Sequence, residues 1–197
     1  MSVLPIYLYG TKVLKAKAKP VRTLNNSAIK LLVDMVDTMH AANGMGLAAN
    51  QVGILQRVIA VDISGVNEKE REESNDQVKI TSPHLPRKVV MINPVVAGKE
   101  GAWKMGEGCL SLPELRGEVE RAEKIQVKYR DPNFDEKEIL ADGLLARVIL
   151  HEIDHLDGIL FTDLIDPEDK AQVKDDLKRI KLGDVDTEYP VVTKEEE

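Results

Sequence analysis

Apolar residues recur along the chain with two different periods. From Ser27 onward, Ile29, Leu32, Val33, Val36 and Met39 return at three- and four-residue steps, which predicts a helix capped by Ser27 and closed by a left-handed turn at Asn43 and Gly44. Short runs rich in β-branched residues follow at 58–61, 89–92 and 125–129, each the length of a strand. Asp131, Pro132 and Asn133 then make a turn into 138–141, so the last two runs read as a hairpin. Residues 144–160 are apolar almost throughout and read as one buried helix, capped by Asp142 and closed by Gly158.

Two stretches lack either period. Residues 64–79 are polar and highly charged, which predicts a long surface loop. A last helix is expected from Pro167, with Asp166 as its cap and Val173, Leu177 and Ile180 on one face. Beyond it the chain turns acidic, ending in three glutamates, so 183–197 is expected to be a disordered tail on a single catalytic domain of residues 1–182. Strands joined mainly by turns, with helices segregated at the two ends, indicate an α+β fold of short, mostly antiparallel sheets around the apolar helix.

Composition narrows the function classes. With 197 residues, 43% of them hydrophobic, the chain can bury one sizeable core. No apolar run reaches the ~18 residues of a membrane span, and the first residues carry no signal-peptide pattern, so a cytoplasmic protein without a membrane partner is expected. A formal charge of −7 argues against stable nucleic-acid binding. The one cysteine, Cys109, fits a reducing compartment better than a disulfide scaffold.

The chemistry gathers in the apolar helix, at His151-Glu152-Ile153-Asp154-His155. Two histidines four apart project from one helical face and can reach the same metal ion, while Glu152 can reach an adjacent water without being a ligand. The pattern HExxH also arises in ordinary helices, but burying two histidines and two carboxylates without pairing or a metal is costly. A third ligand is needed. Cys109 lies in the glycine-rich stretch 106–113, where it reads either as a small buried hydrophobe or as a thiolate that completes a Cys-His-His set. A third cluster, residues 44–51, reads either as a helix cap with small packing residues or as backbone brought close to a ligand, with the Gln51 amide facing a developing negative charge.

Taken in order, Gly44-Met45-Gly46-Leu47-Ala48-Ala49-Asn50-Gln51, Glu107-Gly108-Cys109-Leu110-Ser111 and His151 to His155 resemble the GxGLAAxQ, EGCLS and HExDH motifs of the peptide deformylase family. The resemblance spans about residues 4 to 165. It implies that Cys109, His151 and His155 ligate a metal, that Glu152 is the general acid/base, and that Gln51 and the Leu110 N–H stabilise an oxyanion. It further implies that Gly46 pairs with the peptide substrate as an added strand, that Met45, Leu144 and Val148 line a methionine pocket, and that Arg116 lies near bound peptide. The implied substrate is a nascent N-formylmethionyl peptide. The implied reaction is attack of hydroxide, generated at the metal, on the formyl carbon to release formate. The implied ion is Fe2+, with Zn2+, Ni2+ or Co2+ able to replace it; a transient ribosome contact is the one further partner implied.

Around this set, Glu107 and Asp154 are candidates to orient a histidine or to pair with Arg121. His40 and His84 read as ordinary residues. Leu150 stands where the family commonly has glutamine, and Arg147 is a charged residue on the same helix. Two rival readings remain at this point. A zincin-like metallopeptidase shares HExxH but takes its third ligand downstream, where only carboxylates such as Asp157 and Asp163 are offered. A non-catalytic metal-binding module ordinarily uses four protein ligands.

Overall fold

The computed structural model of the chain describes residues 2–68 and 78–194. The first helix, α1 (Asn26–Ala41), is capped by Asn25, whose side chain accepts a hydrogen bond from Ala28 N at 2.9 Å, rather than by Ser27. Its buried face is Ala28, Leu32, Met35 and Met39, while Ile29 and Val33 of the expected stripe are each 49% exposed. At 100° per residue, Leu32, Met35 and Met39 cluster within about 60° of arc, and Ile29 and Val33 lie well around the helix from them. Asn43 (φ 54°) takes the expected left-handed position after the helix.

A five-stranded sheet forms the frame. Its strands are β2 (Gly46–Ala48), β3 (Val58–Asp62), β4 (Lys88–Glu100), β7 (Lys124–Arg130) and β8 (Glu136–Asp142), in spatial order β2-β3-β4-β7-β8 with every pairing antiparallel. The expected hairpin is the β7–β8 pair, closed by Asp131, whose carboxylate accepts from Asn133 N and Asp135 N. A second antiparallel pair, β5 (Trp103–Cys109) with β6 (Leu112–Arg121), carries Cys109 on its last residue. The glycine-rich stretch is thus strand and tight turn together.

The long helix, α2 (Gly143–Leu156), runs between these layers with nearly every side chain buried, and contributes eight of its residues to the main apolar cluster. Such burial on all sides explains why its sequence shows no polar stripe. Asp142 occupies the cap position, but its carboxylate accepts from Ser82 N (2.8 Å) and the Ser82 hydroxyl instead of from the helix. Gly158 (φ 75°) ends the helix as expected: Gly158 N bonds to His155 O and Ile159 N to Asp154 O. A Cβ there would sit 2.5 Å from the Lys15 carbonyl oxygen.

Other expectations are corrected. After the short α3 (Phe161–Leu164), the last helix is two pieces, α4 (Pro167–Gln172) and α5 (Lys174–Lys181), with Asp166 paired to Lys104 rather than capping. Val173, Leu177 and Ile180 nonetheless share one packed face, and Ile180 is 2% exposed. Residues 69–77 of the expected loop lie outside the described residues, but its flanks are held: Val78 is buried, and Glu68 accepts from Thr81 N and pairs with Arg87. The tail differs most. Instead of disorder, residues 184–190 return to form β9 (Val191–Val192), which pairs in parallel with β1 (Ile6–Tyr7); Glu195 to Glu197 lie outside the described residues. The apolar residues Val185, Tyr189 and Val191, set among the acidic ones, pack on the core and stabilise this return.

The orientation of α1 gives a direct check. Met35→Ala should cost about 2–5 kcal/mol in urea unfolding, whereas Ile29→Ser should stay within about 0.5 kcal/mol.

Candidate metal centre and cleft

Four elements meet at one cleft of about 490 Å³: the edge strand β2, the 3-10 turn Ala49–Val52, the β5–β6 turn and α2. Met45, Gly46, Gln51, Cys109, Leu110, Arg116, Leu144, Val148, His151 and Glu152 all line it. His155 is buried behind them (1% exposed) and joins through its Nε2.

Cys109, His151 and His155 converge. The Cys109 Sγ and His151 Nε2 each lie 3.2 Å from His155 Nε2, and the ligand atoms of the three residues all fall within 4.8 Å of one another. Two imidazole nitrogens bound tetrahedrally to one ion of the zinc class stand about 3.3 Å apart. The spacing, and a thiolate with two imidazoles, therefore fit a divalent metal, and among the described residues this is the one group of three or more such side chains close enough to hold it. The third candidate ligand, Cys109, lies upstream of the helix, whereas the zincin-like reading needs one downstream.

Behind the cluster lies a buried charge network. Glu107 is the hub: its Oε1 accepts from Arg121 Nε (2.6 Å) and an Arg147 terminal nitrogen (2.5 Å), and its Oε2 accepts from Arg121 (2.9 Å) and lies 2.9 Å from His151 Nδ1. Arg121 also donates to Asp154 at 2.6 Å. Glu107 thus both orients a histidine and pairs with Arg121, and Asp154 takes the second role. The charged residue on α2, Arg147, is 2% exposed; it donates further to the Trp103 and Val119 carbonyls and stacks over the Trp103 ring at 4.2 Å. Its signal in the sequence was a charge within an apolar helix, which has to be paired somewhere.

The electrostatics follow from burial and partners. Burial opposes the Glu107 charge, but His151 and Arg121 hold its carboxyl well below the usual carboxylate range. Burial likewise opposes a charge on both imidazoles. Cys109 and Glu107 outweigh it at His151, whereas His155 is pushed below its ordinary value. Burial pushes the Glu152 carboxyl up to about 7, and its Oε2 has no hydrogen-bond partner among the described residues.

Local geometry explains the small residues. At Gly46 a Cβ would stand 2.8 Å from both Glu152 Cδ and Val148 Cγ1, so only glycine lets β2 pass the helix this closely. At Gly44 a Cβ would meet Leu110 Cδ1 at 2.8 Å. Gln51 accepts from Ala48 N with its carbonyl (2.8 Å) and aims its NH2 at Ser111 Oγ (3.3 Å) and Cys109 Sγ (3.5 Å). Asn50 donates to the His155 carbonyl and so ties the same turn to α2. One wall of the cleft was not anticipated: Asp186, Thr187, Glu188 and Tyr189 of the returning C-terminal segment.

A cysteine and two histidines beside a buried, unpartnered carboxylate, at the open edge of a sheet, define a metal-centred hydrolase. The family model described as polypeptide deformylase matches residues 3–171. The chain is 42% identical to a peptide deformylase of Salinibacter ruber over 197 residues, covering 99% of this chain and 97% of that one. It is 39% identical to one of Thermoanaerobacter pseudethanolicus, over 89% of this chain and 99% of the other. Among solved structures, a peptide deformylase from Legionella pneumophila superposes with a TM-score of 0.78 at 34% identity, covering 93% and 98% of the two chains. One from Synechococcus elongatus in complex with actinonin gives 0.71 at 33%, covering 91% and 85%. The chain belongs to the polypeptide deformylase family.

Removing one side of the buried network exposes its role. Arg147→Met should destabilise the fold by about 3–5 kcal/mol in urea unfolding, and should weaken metal retention against a chelator by about 10- to 100-fold.

Proposed function

We propose that the chain removes the formyl group from N-formylmethionyl peptides, releasing formate and a free amine, with Cys109, His151 and His155 holding the metal. The observation that carries this reading is the free, buried carboxylate of Glu152 beside three converging ligands. When bound there, a divalent ion supplies Lewis-acid charge and lowers the pKa of water. Fe2+ is the resident ion in this reading, with Zn2+, Ni2+ or Co2+ accepted by the same donors.

The remaining work falls to the chain itself. Glu152 takes a proton from the attacking water and delivers it to the leaving nitrogen of the formamide; burial, which brings its carboxyl close to neutrality, suits both halves of that transfer. The Gln51 amide and the Leu110 N–H donate to the oxygen of the formyl group as negative charge develops on it. Gly46, on the open edge of β2, pairs with the peptide backbone as an added strand. Met45, Leu144 and Val148 take the methionine side chain, and the exposed Arg116 faces the peptide beyond it. Among the described residues no helix is long and apolar enough to cross a membrane, and newly made peptides in the cytoplasm are the substrates of this reading.

Anaerobically reconstituted protein should release formate from formyl-Met-Ala and leave an internal peptide bond intact. Glu152→Gln should keep its metal and lose about 10²–10⁴-fold in kcat; formate release at the wild-type rate, or cleavage of internal bonds, contradicts the assignment. Gly46→Ala should lose at least tenfold in kcat/KM through displacement of Glu152, measured in the same assay.

A further inference from the structure

The C-terminal return places a tyrosine on the turn that carries Leu110. Beyond α5 the chain reverses at Gly183 (φ 76°), lines the cleft with 186–189, and is fastened by β9, with Ile6 N bonding to Pro190 O and Leu8 N to Val192 O, each at 2.9 Å. Thr193 comes back against Gly183, where a Cβ would stand 2.6 Å from the Thr193 methyl carbon. Both ends of the segment are thereby closed, and it forms a strap rather than a loose tail.

From this strap the Tyr189 hydroxyl donates to the Leu110 carbonyl at 2.8 Å. Its ring packs, as Leu110 and Phe134 also do, against the apolar cluster that includes residues of α1 and β3, so the phenol is delivered from a fixed position. Leu110 and Ser111 form the two-residue turn between β5 and β6, which directly follows Cys109. Neighbouring groups secure the other half of that turn: Tyr9 N donates to Ser111 O at 2.9 Å, and Gln51 donates to Ser111 Oγ. Tyr189 thus reaches the Leu110 carbonyl across 79 positions of sequence.

We propose that Tyr189 is a positioning residue: by holding the Leu110 carbonyl, it fixes the turn so that the Leu110 N–H meets the developing oxyanion. The C-terminal strap is then part of the catalytic apparatus. This rests on the deformylase reading of the cleft. An oxyanion donor acts only if its direction is set before charge develops, so a turn released on one side loses transition-state stabilisation and leaves ground-state binding nearly untouched.

The test compares full-length wild type and Tyr189→Phe, both anaerobically loaded with the same metal, in formate release from formyl-Met-Ala. Tyr189→Phe keeps the ring and its packing and removes only the hydroxyl. The expected result is a fall in kcat of about tenfold with KM within about twofold, at unchanged metal content and a melting temperature within a few degrees of wild type. Tyr189→Leu should lose at least as much, because neither substitution restores a donor. A kcat for Tyr189→Phe within twofold of wild type overturns the inference, as does a loss matched by lost metal or by a raised KM alone. An inactive wild type overturns the deformylase reading and this inference with it; an active wild type with an equally active Tyr189→Phe overturns this inference only.

Discussion

One buried carboxylate holds the candidate site together. Glu107 accepts hydrogen bonds from Arg121 and Arg147 and faces His151 Nδ1. It sits on β5, two residues before Cys109; Arg121 ends β6, and Arg147 and His151 belong to α2. The network therefore bolts the helix that carries two metal-ligand candidates to the hairpin that carries the third. An isolated charge at this depth would be prohibitively costly. Two arginines against Glu107 and Asp154 balance formally, and the surrounding carbonyls take up the remaining donors of Arg147. A network of this kind is rigid because every member loses if one moves, and rigidity is what a metal cluster with one fixed histidine ring requires.

The cleft is built by close approach on the other side. β2 is the edge strand of the main sheet, and it passes α2 so closely that Gly46 has no room for a side chain beside Glu152 and Val148. The 3-10 turn that follows it is tied to the helix through Asn50 and to the hairpin through Gln51. The same contacts leave one edge of the sheet open, one carboxylate oxygen of Glu152 unpartnered, and an amide directed at the cysteine sulfur. Fold and chemistry are in this sense a single packing problem: the helix is buried by the sheets, and its polar residues are made tolerable by the cluster they form.

Much of this was legible in the sequence because the chemistry is local. The i,i+4 spacing of His151 and His155 depends only on a helix, and the glycines around Cys109 and at 44–46 mark where backbone comes close. The β7–β8 hairpin and the α+β arrangement followed from strand-length apolar runs separated by turn residues, whereas β5 and β6 carried no such run. What escaped depended on contacts distant in sequence. Which face of α1 is buried is set by β2 and β3, so Ile29 and Val33 looked like core and are exposed. Arg147 looked out of place until Glu107 and Trp103, some 40 residues away, were brought beside it. The acidic tail concealed Val185, Tyr189 and Val191, three apolar residues whose partners lie far away in the sequence, and composition alone gave no sign of them.

The central claim is that one thiolate and two imidazoles hold the metal while Glu152 stays outside its ligand set. X-ray absorption at the metal edge of the reconstituted protein tests it most directly. The account predicts one sulfur and two imidazole nitrogens among the nearest neighbours, with a spectrum that does not change on Glu152→Gln. A site lacking sulfur, or one that loses an oxygen ligand when Glu152 is replaced, would contradict it.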